Sequence, residues 1–147
     1  MSNADIVTGL NAAVADATVF YQKLRAFHWT VKGPNFYALH EEFETLYTRW
    51  AEIIDELAER VMQLDGTPPL TLKSVLSQAT LQEAPGGPKD SEMVAHISAD
   101  LEALQAGFRK LIAQAEEHHD RSTANLLDDF LDESAKAVWM LKSFNGK

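Results

Sequence analysis

Apolar residues recur along this chain at three- and four-residue spacing, and no long alternating run of the kind that makes a half-buried strand interrupts them. That pattern predicts helix almost throughout. A first helix runs from about Asp5 to Trp29 or just beyond, with Leu10, Val14, Ala17, Tyr21 and Leu24 on its inner face. Gly33-Pro34 breaks it. Asn35 starts a second helix, which continues to about Leu64 and ends in Asp65-Gly66-Thr67-Pro68-Pro69. The connection from there to Asp90 holds a short apolar turn, Leu72 to Leu76, and closes on Pro85-Gly86-Gly87-Pro88. A third helix follows from about Ser91 to His118, and Ser122 or Thr123 caps a fourth that reaches about Phe144.

Connection lengths order these four helices. Short links make the first and second, and the third and fourth, antiparallel neighbours. The roughly 25-residue connection between the second and third can return along a ~45 Å helix and leaves those two parallel. The expectation is an all-α chain: one domain, residues 1–147, built as a ferritin-like four-helix bundle with a long crossover that contains a short helix.

The second helix carries the candidate chemistry. With Leu46 at the centre of its core face, Trp50, Ile53, Leu57, Val61 and Leu64 fall within roughly 60° of it. On the far side His40, Glu44, Asp55 and Glu59 form a stripe from roughly 120° to 220°, interleaved with Tyr37, Ala51, Ala58 and Met62. Two alanines admit a second helix at close range, and Met62 and Tyr37 prefer contact to water. The stripe therefore reads as an interface with another subunit. His40 and Glu44 are neighbours, as are Asp55 and Glu59, but the pairs lie about 22 Å apart along a straight helix. If two such helices pack antiparallel about a two-fold axis near Arg49 or Trp50, each His/Glu pair meets the partner's Asp/Glu pair, giving two equivalent sites per dimer. His28, at the end of the first helix, adds a third corner on the His40 side.

Composition narrows the ligands. The chain has no cysteine, which excludes disulfides, thiolate metal sites and thiol catalysis and fits a reducing cytoplasm. Imidazoles with carboxylates suit Fe(II), Mn(II) or Zn(II), and bridging carboxylates suit two irons better than one structural zinc. The opening residues lack the basic and apolar regions of a signal peptide, and no apolar run approaches the ~20 residues of a membrane span, so a soluble protein without a membrane partner is expected. A formal charge of -9 opposes attraction to nucleic acid or anionic lipid and makes cations the natural partners.

His28-Trp29, Gly33, Phe36 and His40, followed by Phe43, Tyr47, Asp55 and Ala58-Glu59-Arg60, and later Trp139-Met140-Leu141, closely resemble the Dps family of miniferritins, named as DNA-binding proteins from starved cells. The resemblance covers nearly the whole chain and is specific in its H-W-x3-G-x2-F-x3-H and D-x2-A-E-R patterns. It implies a dodecameric cage with ferroxidase sites at two-fold interfaces, where His28, His40 and Glu44 come from one subunit and Asp55 and Glu59 from its mate. Relatives usually carry aspartate in place of Glu44. The implied reaction is oxidation of Fe(II) by hydrogen peroxide, with ferric oxyhydroxide stored inside and the cell protected from oxidative stress.

The same resemblance surrounds an acidic three-fold pore, through which Fe(II) passes, with Asp120, Asp128, Asp129 and Asp132. Asn125 stands there where relatives often have aspartate. Favourable charge near a helix N-terminus is the plainer alternative for these acids. Glu41, Glu52 and Glu56 are candidates to line the cavity and nucleate mineral. Trp29, next to a ligand, is a candidate electron donor, with packing as the equal alternative. Relatives that bind DNA directly often carry a Lys- and Arg-rich tail, which is absent here, so direct DNA binding is not expected, although bridging cations leave association with the nucleoid open.

Two other readings are weighed. Glu116 and His119 have the E-x2-H spacing of a di-iron carboxylate enzyme with its site inside one bundle, but Glu133 is followed by Lys136 rather than histidine. The third reading is a structural or nucleoid bundle protein whose histidines are incidental. His96, His118 and His119 are expected at the surface.

Overall fold

The computed structural model describes residues 3–147 as five helices in the order α1 (Asn3–Thr30), α2 (Phe36–Gln63), α3 (Leu72–Gln78), α4 (Asp90–Glu117) and α5 (Arg121–Phe144), with no strand among the described residues. The long helices begin and end within two residues of expectation, and the short apolar turn is α3. The cap of α5 differs. Asp120, rather than Ser122 or Thr123, holds that position, its carboxylate accepting from the Thr123 N–H at 3.1 Å and from the Thr123 hydroxyl at 2.6 Å. The two oxygens of one carboxylate accept one donor each, which a single hydroxyl at Ser122 or Thr123 does not offer.

Ring contacts fix the packing directions. Phe20 meets Trp50 and Phe27 meets Phe43, so α1 and α2 run antiparallel. Lys23 pairs with Asp100 while Gly9 lies against Leu111, so α4 is antiparallel to α1 and therefore parallel to α2. The crossover that permits this is tied to α1. The Asp16 carboxylate accepts from the Thr80 N–H, the Thr80 hydroxyl and the Leu81 N–H, Asn11 donates to the Thr67 carbonyl, and Val75 of α3 packs on Ala15 and Val19.

The centre of the bundle is aromatic. Phe20, Trp50, Phe108 and Phe130, one from each long helix, form a continuous series of ring contacts at 5.0 to 6.3 Å, each side chain burial being worth about 1.5–3 kcal/mol. Beside it Gln105 donates to the Ser134 hydroxyl at 3.0 Å. Among the described residues no aspartate or glutamate is fully buried. An intrasubunit di-iron carboxylate site therefore has no ligands in the core. Glu116 and His119 lie at the exposed end of α4, where His119 takes the left-handed conformation that ends the helix. No helix among the described residues is long and apolar enough to cross a membrane.

Candidate metal centre

Two helix ends make the site. α1 closes at Thr30, Gly33 adopts a φ of 110° that a side chain would strain, and α2 starts at Phe36 with the Phe36 N–H donating to the Gly33 carbonyl. This tight turn brings the last turn of α1 beside the first turn of α2. His28 and His40 then stack face to face, with ring centroids 3.7 Å apart.

Their hydrogen bonds are reciprocal. His28 Nδ1 lies 2.7 Å from the His40 carbonyl oxygen, and His40 Nδ1 lies 2.7 Å from the His28 carbonyl oxygen. A carbonyl only accepts, so each Nδ1 is the donor and each neutral ring keeps its lone pair on Nε2. Both Nε2 atoms are thus available to a cation. Glu44 Oε1 stands 3.9 Å from His28 Nε2, and the candidate ligand atoms of His28, His40 and Glu44 all lie within 4.8 Å of one another. Phe36 stacks on His40, Tyr47 meets His28 edge-on, and His28 is buried while Glu44 is exposed. The group is walled on its own subunit's side and open outward, onto a depression of ≈ 580 Å³ lined in part by Tyr37, Glu41 and Thr48.

Asp55 and Glu59 are not part of this group. They stand fifteen or more residues beyond His40 on one continuous helix, and both are exposed. Glu59 is held above the usual carboxylate range first by a hydrogen bond with Asp55 and then by the Asp55 charge. Two carboxylates so placed repel when both are ionised, and a cation between them relieves that repulsion.

The other predicted residues divide. Asp128, Asp129 and Asp132 are exposed, and Asp128 lines a surface depression with Glu116, His119, Arg121 and Asn125. Asp120 is committed elsewhere, to Thr123 and to Arg60, whose guanidinium lies 2.9 Å away. Burial opposes the Asp120 charge, but the Thr123 hydrogen bonds and Arg60 outweigh it and hold the carboxyl below its usual range. Glu41 is exposed, whereas Glu52 and Glu56 lie 3.9 and 3.3 Å from Arg49, which also forks onto Glu133 with two bonds of 2.9 Å. Arg49 therefore neutralises part of the proposed nucleating surface. Trp29 is 57% exposed and lies under the Arg25 guanidinium at 5.0 Å rather than against either imidazole.

Sequence reasoning missed the Arg49 clamp, the buried Lys23–Asp100 pair at 2.7 Å, and the contact of Tyr47 with His28. Only the last had a signal in the sequence: Tyr47 follows His40 by two helical turns, as Tyr21 precedes His28.

Comparison with known proteins agrees with this fold. A family model for the ferritin-like domain matches residues 7–147. The DNA protection during starvation protein of Brevibacillus brevis is 44% identical over 135 residues, covering 92% of this chain and 91% of that protein. The chain belongs to the Dps family. The crystal structure of a Dps protein from Bacillus brevis superimposes with a TM-score of 0.95 at 42% identity, covering 97% of this chain and 95% of that one. The Dps protein of Vibrio cholerae O1, described as a member of a broad superfamily of ferritin-like diiron-carboxylate proteins, matches at a TM-score of 0.94 and 30% identity, covering 97% and 89%. Membership in this family supports a role in iron storage and DNA protection, and His28, His40 and Glu44 form a group of donor types that could hold a metal ion.

Proposed function

We propose that this Dps chain is an iron-detoxifying ferroxidase of the cytoplasm. It oxidises Fe(II), preferentially with hydrogen peroxide, at di-iron sites shared between two subunits, and stores ferric oxyhydroxide in a dodecameric cage. The observation that carries the reading is the outward-open His28, His40 and Glu44 group, with the Asp55 and Glu59 pair exposed farther along the same helix.

Iron is the substrate here. Imidazole Nε2 and carboxylate oxygens form a mixed donor set suited to Fe(II), and the partner's Asp55 and Glu59 would complete it on the open side. The chain's own part is to hold both Nε2 lone pairs toward the metal, to wall the site with Phe36 and Tyr47, and to bring two Fe(II) ions together. Two ions supply two electrons to one peroxide, which with two protons becomes water. A single ion supplies only one and releases hydroxyl radical.

Asp128, Asp129 and Asp132 would attract Fe(II) toward the cavity, and Glu41 with the Arg49-bound Glu52 and Glu56 would meet ferric iron inside. DNA protection in this reading comes from removing Fe(II) and peroxide together, since a net charge of -9 opposes direct contact with DNA.

The test is stoichiometric Fe(II) added anaerobically, followed by peroxide, in wild type, His40→Ala and Asp55→Ala. Both substitutions are expected to abolish rapid oxidation. Mixed assemblies of the two variants should regain activity only at interfaces that pair intact halves. Unchanged peroxide-driven oxidation in both single variants overturns the proposed site.

A further inference from the structure

One guanidinium gathers carboxylates from two helices. Arg49 of α2 donates through Nε and Nη2 to the two oxygens of Glu133 on α5, each at 2.9 Å, and through Nη1 to Glu56 at 3.3 Å, with Glu52 3.9 Å from the same nitrogen. The guanidinium carbon lies 5.9 Å over the ring of Phe130, which belongs to the buried aromatic series. We infer that Arg49 is a specificity-determining residue: it fills the space among Glu52, Glu56 and Glu133 with a charge of its own, so that Fe(II) is left to His28, His40 and Glu44. This role rests on the ferroxidase reading.

Stability alone does not call for this clamp. Arg49 is half-buried, Glu52 and Glu133 are exposed, and ion pairs so placed add little to folding. What the clamp changes is the chemistry open to the carboxylates. Three of them, from two helices, offer an oxygen-only donor set of the kind that suits divalent cations. With the guanidinium in place they do not close on one point: among the described residues, His28, His40 and Glu44 are the group of three whose ligand atoms lie within 4.8 Å of one another. A guanidinium keeps its charge in a protein, and its planar fork engages both helices at once.

The two places give Fe(II) different chemistry. At the shared site two Fe(II) ions supply both of the electrons that hydrogen peroxide takes. An ion held alone by Glu52, Glu56 and Glu133 would supply one, and peroxide would become hydroxide and hydroxyl radical as Fe(II) becomes Fe(III). Arg49 denies it that place. Ferric iron competes better with a guanidinium, because attraction to a carboxylate scales with charge, so the same face stays open to the oxidised product.

Mn(II) binding, counted by the electron paramagnetic resonance of the free ion, tests the block in a His40→Ala background, which lacks one imidazole of the two-histidine group. Arg49→Met added to it should bind about one further Mn(II) per subunit, since Mn(II) suits an oxygen-only site. Arg49→Gln, which keeps a polar side chain at this half-buried position, should do the same. Adding Glu133→Gln to either should remove the gained ion. With both histidines intact, Arg49→Met given sub-stoichiometric Fe(II) anaerobically and then peroxide should raise the spin-trapped hydroxyl radical per iron oxidised several-fold over wild type. Equal Mn(II) binding with and without the Arg49 substitutions, or a gained ion that survives Glu133→Gln, overturns the inference. So does a gained Mn(II) with an unchanged radical yield, because Fe(II) is then not diverted. Wild type that oxidises no iron sinks the ferroxidase reading, and the sorting with it, whatever the Mn(II) count.

Discussion

His28 and His40 hold each other's tautomer: each Nδ1 donates to the other's backbone carbonyl at 2.7 Å, and both Nε2 atoms are left as ligands. Each acceptor is a backbone carbonyl and survives removal of the other imidazole, so what one ring loses with the other is the stacking at 3.7 Å. His28→Ala and His40→Ala should each weaken Co(II) binding, at least about 10-fold, because each removes one Nε2 ligand and the ring stacked on the other. Titration of Co(II) followed by its visible absorption measures this. Equal affinities in wild type and either variant would remove that histidine from the site.

Glu44 reaches to 3.9 Å from His28 Nε2 with the longer of the two acidic side chains. Glu44→Asp keeps the charge and should still support iron oxidation, with a change in how many Fe(II) ions bind per subunit. Glu44→Gln removes the charge and should bind Fe(II) more weakly than Glu44→Asp. Anaerobic Fe(II) calorimetry on both variants separates charge from reach.

Asp120 caps α5 and pairs with Arg60, and its carboxyl is held below the usual range. A carboxyl depressed in the folded state adds stability above its unfolded value, and that increment disappears as pH falls through the folded value. Asp120→Ala should cost about 0.5–2 kcal/mol at neutral pH, the value of a lost cap. The difference from wild type should shrink as pH drops below the ordinary aspartate range. Denaturant unfolding across that range checks the sign, and a difference that grows with acidity would contradict it.

Lys23 is 3% exposed and pairs with Asp100 between α1 and α4. Burial pushes the Asp100 carboxyl up, and the Lys23 hydrogen bond only partly offsets it. Lys23→Met leaves a buried carboxylate without its cation and should destabilise the fold by about 3–5 kcal/mol. Lys23→Met with Asp100→Leu should recover most of that loss. Thermal melts of the two variants distinguish a stabilising pair from one that merely cannot be broken halfway.

Gly33 sits at φ 110° in the turn that sets His28 beside His40. Gly33→Ala should lower stability by about 1–2 kcal/mol and weaken Co(II) binding along with it, because the turn and the half-site are one structure. Melting temperature and Co(II) affinity should fall together. Loss of stability with full affinity would show that the helix ends find their register without the glycine.

Periodicity along the chain was enough for the four long helices and the stripe that holds His40, Glu44, Asp55 and Glu59, and connection lengths were enough for the parallel crossover, because these depend on local spacing, on the fixed angle between successive residues and on the reach of the chain. The separation of the two acid pairs along α2 was legible for the same reason. What lies between helices was not. Whether the imidazoles face each other, whether Trp29 touches His28, and whether Arg49 takes up Glu52, Glu56 and Glu133 all depend on the register of one helix against another and on side-chain rotamers. Asp120 illustrates the difference: its acidity and its place before α5 are sequence facts, but only Arg60, arriving from α2, decides that its charge is spent inside the subunit. Angular position on a helix says which way a residue faces, and the tertiary structure alone says what it meets there.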